Sequence, residues 1–156
     1  MITDLTEPRR LVAMRPAREP DFKIGPADNP YMLRWWLVPR NDEFNVYYHV
    51  ILHDDDDRAL HDHPWPSLSI VVGGSLREIT ETGHRILGAG DVVYRAPDRA
   101  HRLELLYPEQ PAETLFITGP RCRDWGFHCP KAWVPWKQFV DGDEPGRVGR
   151  GCGEMA

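Results

Sequence analysis

The sequence predicts an all-β domain, a small sandwich or barrel, and three observations carry that expectation. Short runs rich in Val, Ile, Leu, Tyr and Trp recur at close spacing between turn residues, the pattern of antiparallel strands. Fifteen prolines and thirteen glycines interrupt the chain often enough to leave little room for long helices. Two histidine-bearing stretches, one around His61 and His63 and one ending at His101, each adjoin an apolar run. At 156 residues the chain has the length of one domain that can bury a core without disulfide staples.

Residues 1–29 read as an extended N-terminal arm, with Pro8, Pro16, Pro20 and Pro26 set among charges and no sustained period. The barrel domain is expected over 30–140. Its first strand is Tyr31 to Val38 and its second Phe44 to His53, parted by the Pro39-Arg40-Asn41-Asp42 turn. Asp54 to Asp57 form an acidic run without the spacers of a calcium loop, and read as a solvated turn. A strand from His61 to Val72 follows, then Gly73-Gly74 and the alternating Ser75 to Glu81. Thr82-Gly83 turns the chain into His84 to Leu87, and Gly88-Ala89-Gly90-Asp91 turns it into Val92 to Arg95. His101 to Tyr107 and Glu113 to Thr118 are further strands. The aromatic segment from Trp125 to Phe139 is expected to cap one end, and 141–156 to be a disordered tail.

The formal charge of −5 argues against a nucleic-acid surface, and no apolar run reaches the roughly 18 residues of a membrane span. Cys122, Cys129 and Cys152 form neither a C-x-x-C pair nor an even framework, which suits a reducing cytoplasm.

His61 and His63 stand two apart, so on a strand both imidazoles face one way. His101 follows after a Gly-Asp turn and another apolar run. Neutral imidazole binds iron, zinc, nickel, copper and manganese, and three such donors leave positions open for water or substrate. His49, His53 and His84 lack this spacing and read as ordinary strand or turn residues. A rival set, His53 with Asp55, has H-x-D spacing, but its aspartate lies in a run where that match arises easily by chance.

These stretches resemble the cupin superfamily of jelly-roll barrels. Its first motif carries H-x-H, then a glutamate, then a glycine; His61, His63 and Gly74 fit, and the glutamate position falls on Ser67 or Leu68. Its second motif places a histidine eleven residues after the glycine of Gly-Asp, and Gly90-Asp91 to His101 matches (101 − 90 = 11). The strings around His61 and from Trp125 to Pro130 are also similar to a group of bacterial and phage cupins. The resemblance implies a double-stranded β-helix with a three-histidine metal site. Cupins lacking the glutamate include three-histidine iron dioxygenases, so the implied ion is Fe(II), with zinc, nickel and manganese as alternatives. The implied activity is dioxygenation of a small molecule. The alternatives are a non-catalytic metal- or ligand-binding protein and an isomerase or lyase using a redox-inert metal. Cupins often pair, which implies a homodimer through the Trp35-Trp36 strand.

Counting by twos from the histidines puts Ser67, Ser69 and Val71 on the metal face, with Leu103 and Leu105 opposite. Trp65, between two prolines, belongs at the mouth of the pocket. Of Tyr94 and Arg95 one must point inward: Tyr94, with His128, is a candidate to handle protons, and Arg95 to grip an anionic substrate group. Trp65, Ser67 and Arg95 are thus the expected substrate contacts.

Overall fold

The computed structural model describes residues 13–55, 59–143 and 147–153. Twelve strands pair antiparallel in two six-stranded sheets. The first sheet has the order β1 (Phe22–Ile24), β2 (Met32–Trp36), β3 (Asn45–Ile51), β10 (Ala112–Thr118), β5 (Ser67–Gly73) and β8 (Val92–Arg95). The second has β12 (Trp133–Pro135), β11 (Gly126–His128), β4 (Leu60–His61), β9 (His101–Leu105), β6 (Ser75–Thr80) and β7 (Gly83–Gly88). One short helix, α1 (Trp136–Phe139), follows β12. This is a jelly roll, as expected.

Strand alternation explains where the core sits. Met32, Ile51, Val71, Leu76, Leu87, Val93, Leu105 and Ala112 fill the space between the sheets. The alternate residues Trp35, Tyr48, Val50, Val72 and Leu115 form a second cluster on the outer face of the first sheet. The N-terminal arm covers that face: Trp35 Nε1 donates to the Arg18 carbonyl at 2.8 Å, and the Arg15 guanidinium lies 5.3 Å from the Trp35 ring centre. The arm also contributes β1, which pairs with β2 through Phe22↔Arg34 and Ile24↔Met32. β2 is therefore flanked on both sides, and Trp35 is buried under the arm.

Gly74 is required where the sheets exchange. Its φ is +69°, and a Cβ there would lie 2.4 Å from the Pro111 carbonyl oxygen.

The expected histidine strand is in fact broken. β4 ends at His61 in the second sheet and β5 begins at Ser67 in the first, because Pro64 and Pro66 have no N–H for a ladder. Asp62 holds the crossing. Its buried carboxylate accepts from Gly126 N at 2.8 Å, Trp133 Nε1 at 2.9 Å and His128 Nε2 at 3.0 Å, and pairs with Arg123 at 2.9 Å. Burial pushes this carboxyl up, but the four donors outweigh it and hold the group below the ordinary aspartate range.

Two further expectations are corrected. Asp54, which is exposed, and Asp55, which is half-buried, do more than face solvent: they accept the backbone N–H groups of Leu105 at 2.7 Å and Leu103 at 2.8 Å, clipping the loop to β9. Asp56 and Asp57 lie outside the described residues. The chain beyond 141 was expected to be disordered, yet its described part folds back. Val148 bridges Val140, Gly149 N donates to the Phe139 carbonyl at 2.9 Å, and Cys152 is disulfide-bonded to Cys129. The cysteines thus form one bridge and one free thiol, Cys122, so their odd number carries no argument for a reducing compartment. No helix among the described residues is long and apolar enough to cross a membrane.

The disulfide closes a loop of 23 residues in sequence separation, which corresponds to about 3 kcal/mol of loop-closure stabilisation. Reduction should lower the denaturation midpoint accordingly, and Cys152→Ser should show the same drop with no further response to reductant. For Asp62, a depressed native pKa means its contribution is complete above the ordinary value of 3.8 and is lost as pH falls through the native value. Asp62→Asn should therefore cost about 3 kcal/mol near neutral pH. In urea titrations across pH, the difference from the parent should shrink below pH 3.8.

Candidate metal centre

Three chain segments bring His61, His63 and His101 together. His61 is the last residue of β4, and its backbone pairs with His101 at the start of β9. His63 lies just past the strand end, fixed by its N–H to the Pro97 carbonyl at 3.0 Å. The three rings form a nearly equilateral triangle, with centroids 5.2, 5.0 and 5.1 Å apart. One nitrogen from each lies within 4.8 Å of the others, and the Nε2 atoms of His63 and His101 are 2.9 Å apart. Two imidazole nitrogens bound at right angles on an ion at about 2.1 Å each would be separated by about 3.0 Å. The donor set fits a single divalent ion.

The electrostatics agree. Burial pushes all three imidazoles below the usual histidine range, His101 to about 3, so they are held neutral, the form that binds metal. The Nδ1 atoms of His61 and His101 are buried without an aligned hydrogen bond. Each nevertheless faces a carboxylate: Glu78 Oε1 is 3.0 Å from His101 Nδ1, and Asp55 Oδ2 is 4.0 Å from His61 Nδ1. A carboxylate behind a histidine favours the tautomer that leaves Nε2 free for a metal and fixes the ring.

Glu78 was not singled out from the sequence, although strand alternation places it beside the inward Leu76. Its buried carboxylate pairs with Arg95 Nε at 2.5 Å and Arg85 at 2.5 Å as well as facing His101. Burial pushes Glu78 up, and His101 and Arg95 more than reverse this, so it is held far below the carboxylate range.

His61 and His63 line a cavity of about 630 Å³, with His101 packed behind them. Trp65, Trp125, Phe127 and Trp136 form aromatic walls, with Phe139, Val140 and Val148 from the C-terminal segment. Arg34 and Asp55 are half-buried charged groups in its wall. Burial pushes the Asp55 carboxyl up.

Several expected site residues lie elsewhere or are already engaged. Trp65 does line the cavity. Ser67 is buried inside the barrel but is not part of the cavity wall. Arg95 points inward and does hold a carboxylate, but that carboxylate is Glu78; its remaining reach goes to Ser69 Oγ at 2.8 Å. Tyr94, its neighbour, is 67% exposed on the outer face, as alternation requires. His128 points away from the triangle: its backbone neighbour Phe127 faces the cavity, while the His128 ring binds Asp62 and approaches Glu81 at 3.5 Å. Neither Tyr94 nor His128 reaches the cavity among its described lining. His53 binds Asn29 at 2.9 Å, so the H-x-D alternative does not assemble, although its Asp55 stands beside His61.

No protein-family model and no curated protein matches this sequence. Solved structures do match the fold. A cupin superfamily protein of Desulfitobacterium hafniense DCB-2 is 14% identical over 70% of this chain and 87% of its own, with a TM-score of 0.51. A conserved protein with a double-stranded β-helix domain from Klebsiella pneumoniae subsp. pneumoniae MGH 78578 is 20% identical over 67% and 84%, with a TM-score of 0.51. Fe(II) HppE is 16% identical over 66% of this chain and 57% of its own length, with a TM-score of 0.55. At these identities the likeness is one of architecture, a double-stranded β-helix jelly roll.

Proposed function

We propose that this protein holds one divalent ion, Fe(II) foremost, on His61, His63 and His101, and that it acts on a small molecule as a non-haem dioxygenase. The observation that carries the reading is the triangle of neutral imidazoles at the wall of an aromatic cavity. Fe(II) on three neutral donors keeps its full charge and open positions, and would supply redox chemistry toward O₂. The protein's part follows from its own residues. Glu78 orients His101. The aromatic walls give the site a largely apolar lining, which strengthens charge interactions beside it. Asp55, whose carboxyl burial pushes up, is placed to hold or release a proton beside His61. That role replaces the one expected for Tyr94 and His128.

Asp55 also favours a second reading, an isomerase or lyase reaction, in which zinc, nickel or manganese held by the three histidines would supply Lewis acidity and Asp55 would move a proton. Elemental analysis of protein purified without a histidine tag separates the two. Near-stoichiometric iron, with O₂ uptake on adding small acids or thiols, is the expected result. A redox-inert metal with no O₂ uptake would favour the second reading. Metal binding is expected to be lost in His101→Ala and kept in His84→Ala, as measured by equilibrium dialysis. Equal retention in both would overturn the three-histidine assignment.

A further inference from the structure

We propose that the cavity beside the histidines takes a small organic anion, a carboxylate or phosphate ester with an apolar body, and that Arg34 holds its charged end. The proposal deepens the reading above by naming the substrate class of the same site.

Arg34 lies on the inward face of β2, two residues from the core residue Met32, and lines the cavity with His61 and His63. Its Nε donates to His49 Nε2 at 2.9 Å, and its guanidinium lies 4.9 Å from the Tyr47 ring centre. Both contacts fix the plane of the group and neither neutralises it, because a histidine accepting that N–H is uncharged. Among the described residues no carboxylate lies within ion-pair distance of Arg34, and its two terminal nitrogens have no hydrogen-bond acceptor.

The contrast with Arg95 is informative. That buried arginine spends its charge on Glu78 inside the same barrel. Arg34 is half-buried; a cation partly withdrawn from water without a counter-charge is costly, and one held in place at a cavity wall is suited to receive the counter-charge from a ligand. The acids in the wall are otherwise occupied: Asp55 accepts from Leu103 N and faces His61, and Asp141 accepts from Asp143 N. Trp65 also lines the cavity, and its buried indole N–H finds no acceptor among the described residues. Lys137 adds another positive charge, its ammonium 5.7 Å from the Trp136 ring centre. The planar fork of Arg34 matches a carboxylate or phosphate, and the tryptophan walls match an apolar body.

The test is a fluorescence titration, since Trp65, Trp125 and Trp136 report from the cavity wall. Benzoate, phenyl phosphate and uncharged benzamide are the probes, each added to chelator-treated protein and to protein with the metal restored. Either anion should bind at least about tenfold more tightly than benzamide. Arg34→Gln should abolish that preference and Arg34→Lys should retain part of it, with unchanged circular dichroism. Should Arg34→Gln fail to fold, the benzoate–benzamide comparison and Arg34→Lys decide. No anion binding up to about 10 mM, equal affinity for benzamide, or an unaltered preference in the folded Arg34→Gln variant would overturn the proposal. Arg34-dependent anion binding in chelated protein stands even if no metal is found. Metal binding without it leaves the metal reading intact and removes this one.

Discussion

Asp62 sits between two inward-facing histidines and itself points outward, where four donors from β11, β12 and the preceding loop converge on one buried carboxylate. β4 is only two residues long and has a single pairing with β9, so the ladder alone gives His61 and His63 little rigidity. Hydrogen bonds to a charged group contribute about 1.5–3 kcal/mol each and lose that if a partner is removed. The carboxylate therefore ties the crossing between the sheets to the aromatic segment that roofs the cavity. The placement of both imidazoles and of the Trp125–Phe127 wall depends on the same group.

A second buried carboxylate organises the other side of the triangle. Glu78 stands between two arginines and His101, so its charge is compensated within the protein and it remains an acceptor directed at the histidine. Removing Glu78 would strand Arg95 as an unpaired buried charge, whereas removing Arg95 would leave Glu78 with Arg85 and His101. Toward Leu76, Leu87 and Val93 the barrel is apolar, and toward the histidines Glu78, Arg95 and Ser69 answer one another. Arg34 has no such carboxylate partner among the described residues, and it faces the cavity.

Much of this was legible in the sequence where a local rule governs it. The period of two correctly places Ser67, Ser69 and Val71 inside, and Gly74 marks a close approach of backbones. The joint spacing of His61, His63 and His101 identified the cluster. Tyr94 and Arg95 could not be ordered before the turn was seen, because Pro97 hides the phase of the alternation. The break after His61 could have been read from Pro64 and Pro66, since neither can donate to a ladder. Glu78 follows from alternation with Leu76, but a charged residue on a strand is ordinarily assigned to solvent. The Cys129–Cys152 bridge and the roles of Asp55 and Asp62 depend on long-range proximity, on which sequence spacing is silent.

The cavity shows why the fold alone does not decide the chemistry. Its histidines belong to the barrel, but Trp136, Phe139, Val140 and Val148 come from the segment after the last barrel strands. That segment is held by Asp62 at one end, through Trp133, and by the Cys129–Cys152 bridge at the other. Its sequence can change without disturbing the pairing of β3, β10 and β5, which carries the first sheet. The metal triangle and the binding wall thus have different sources, strand register for one and a tethered appendage for the other, and they are joined at Asp62 and the β4–β11 pairing. Arg34 and Asp55 bring fixed charge to the meeting point of the two. What the site selects is then governed by those charges and that wall, not by the barrel that carries the histidines.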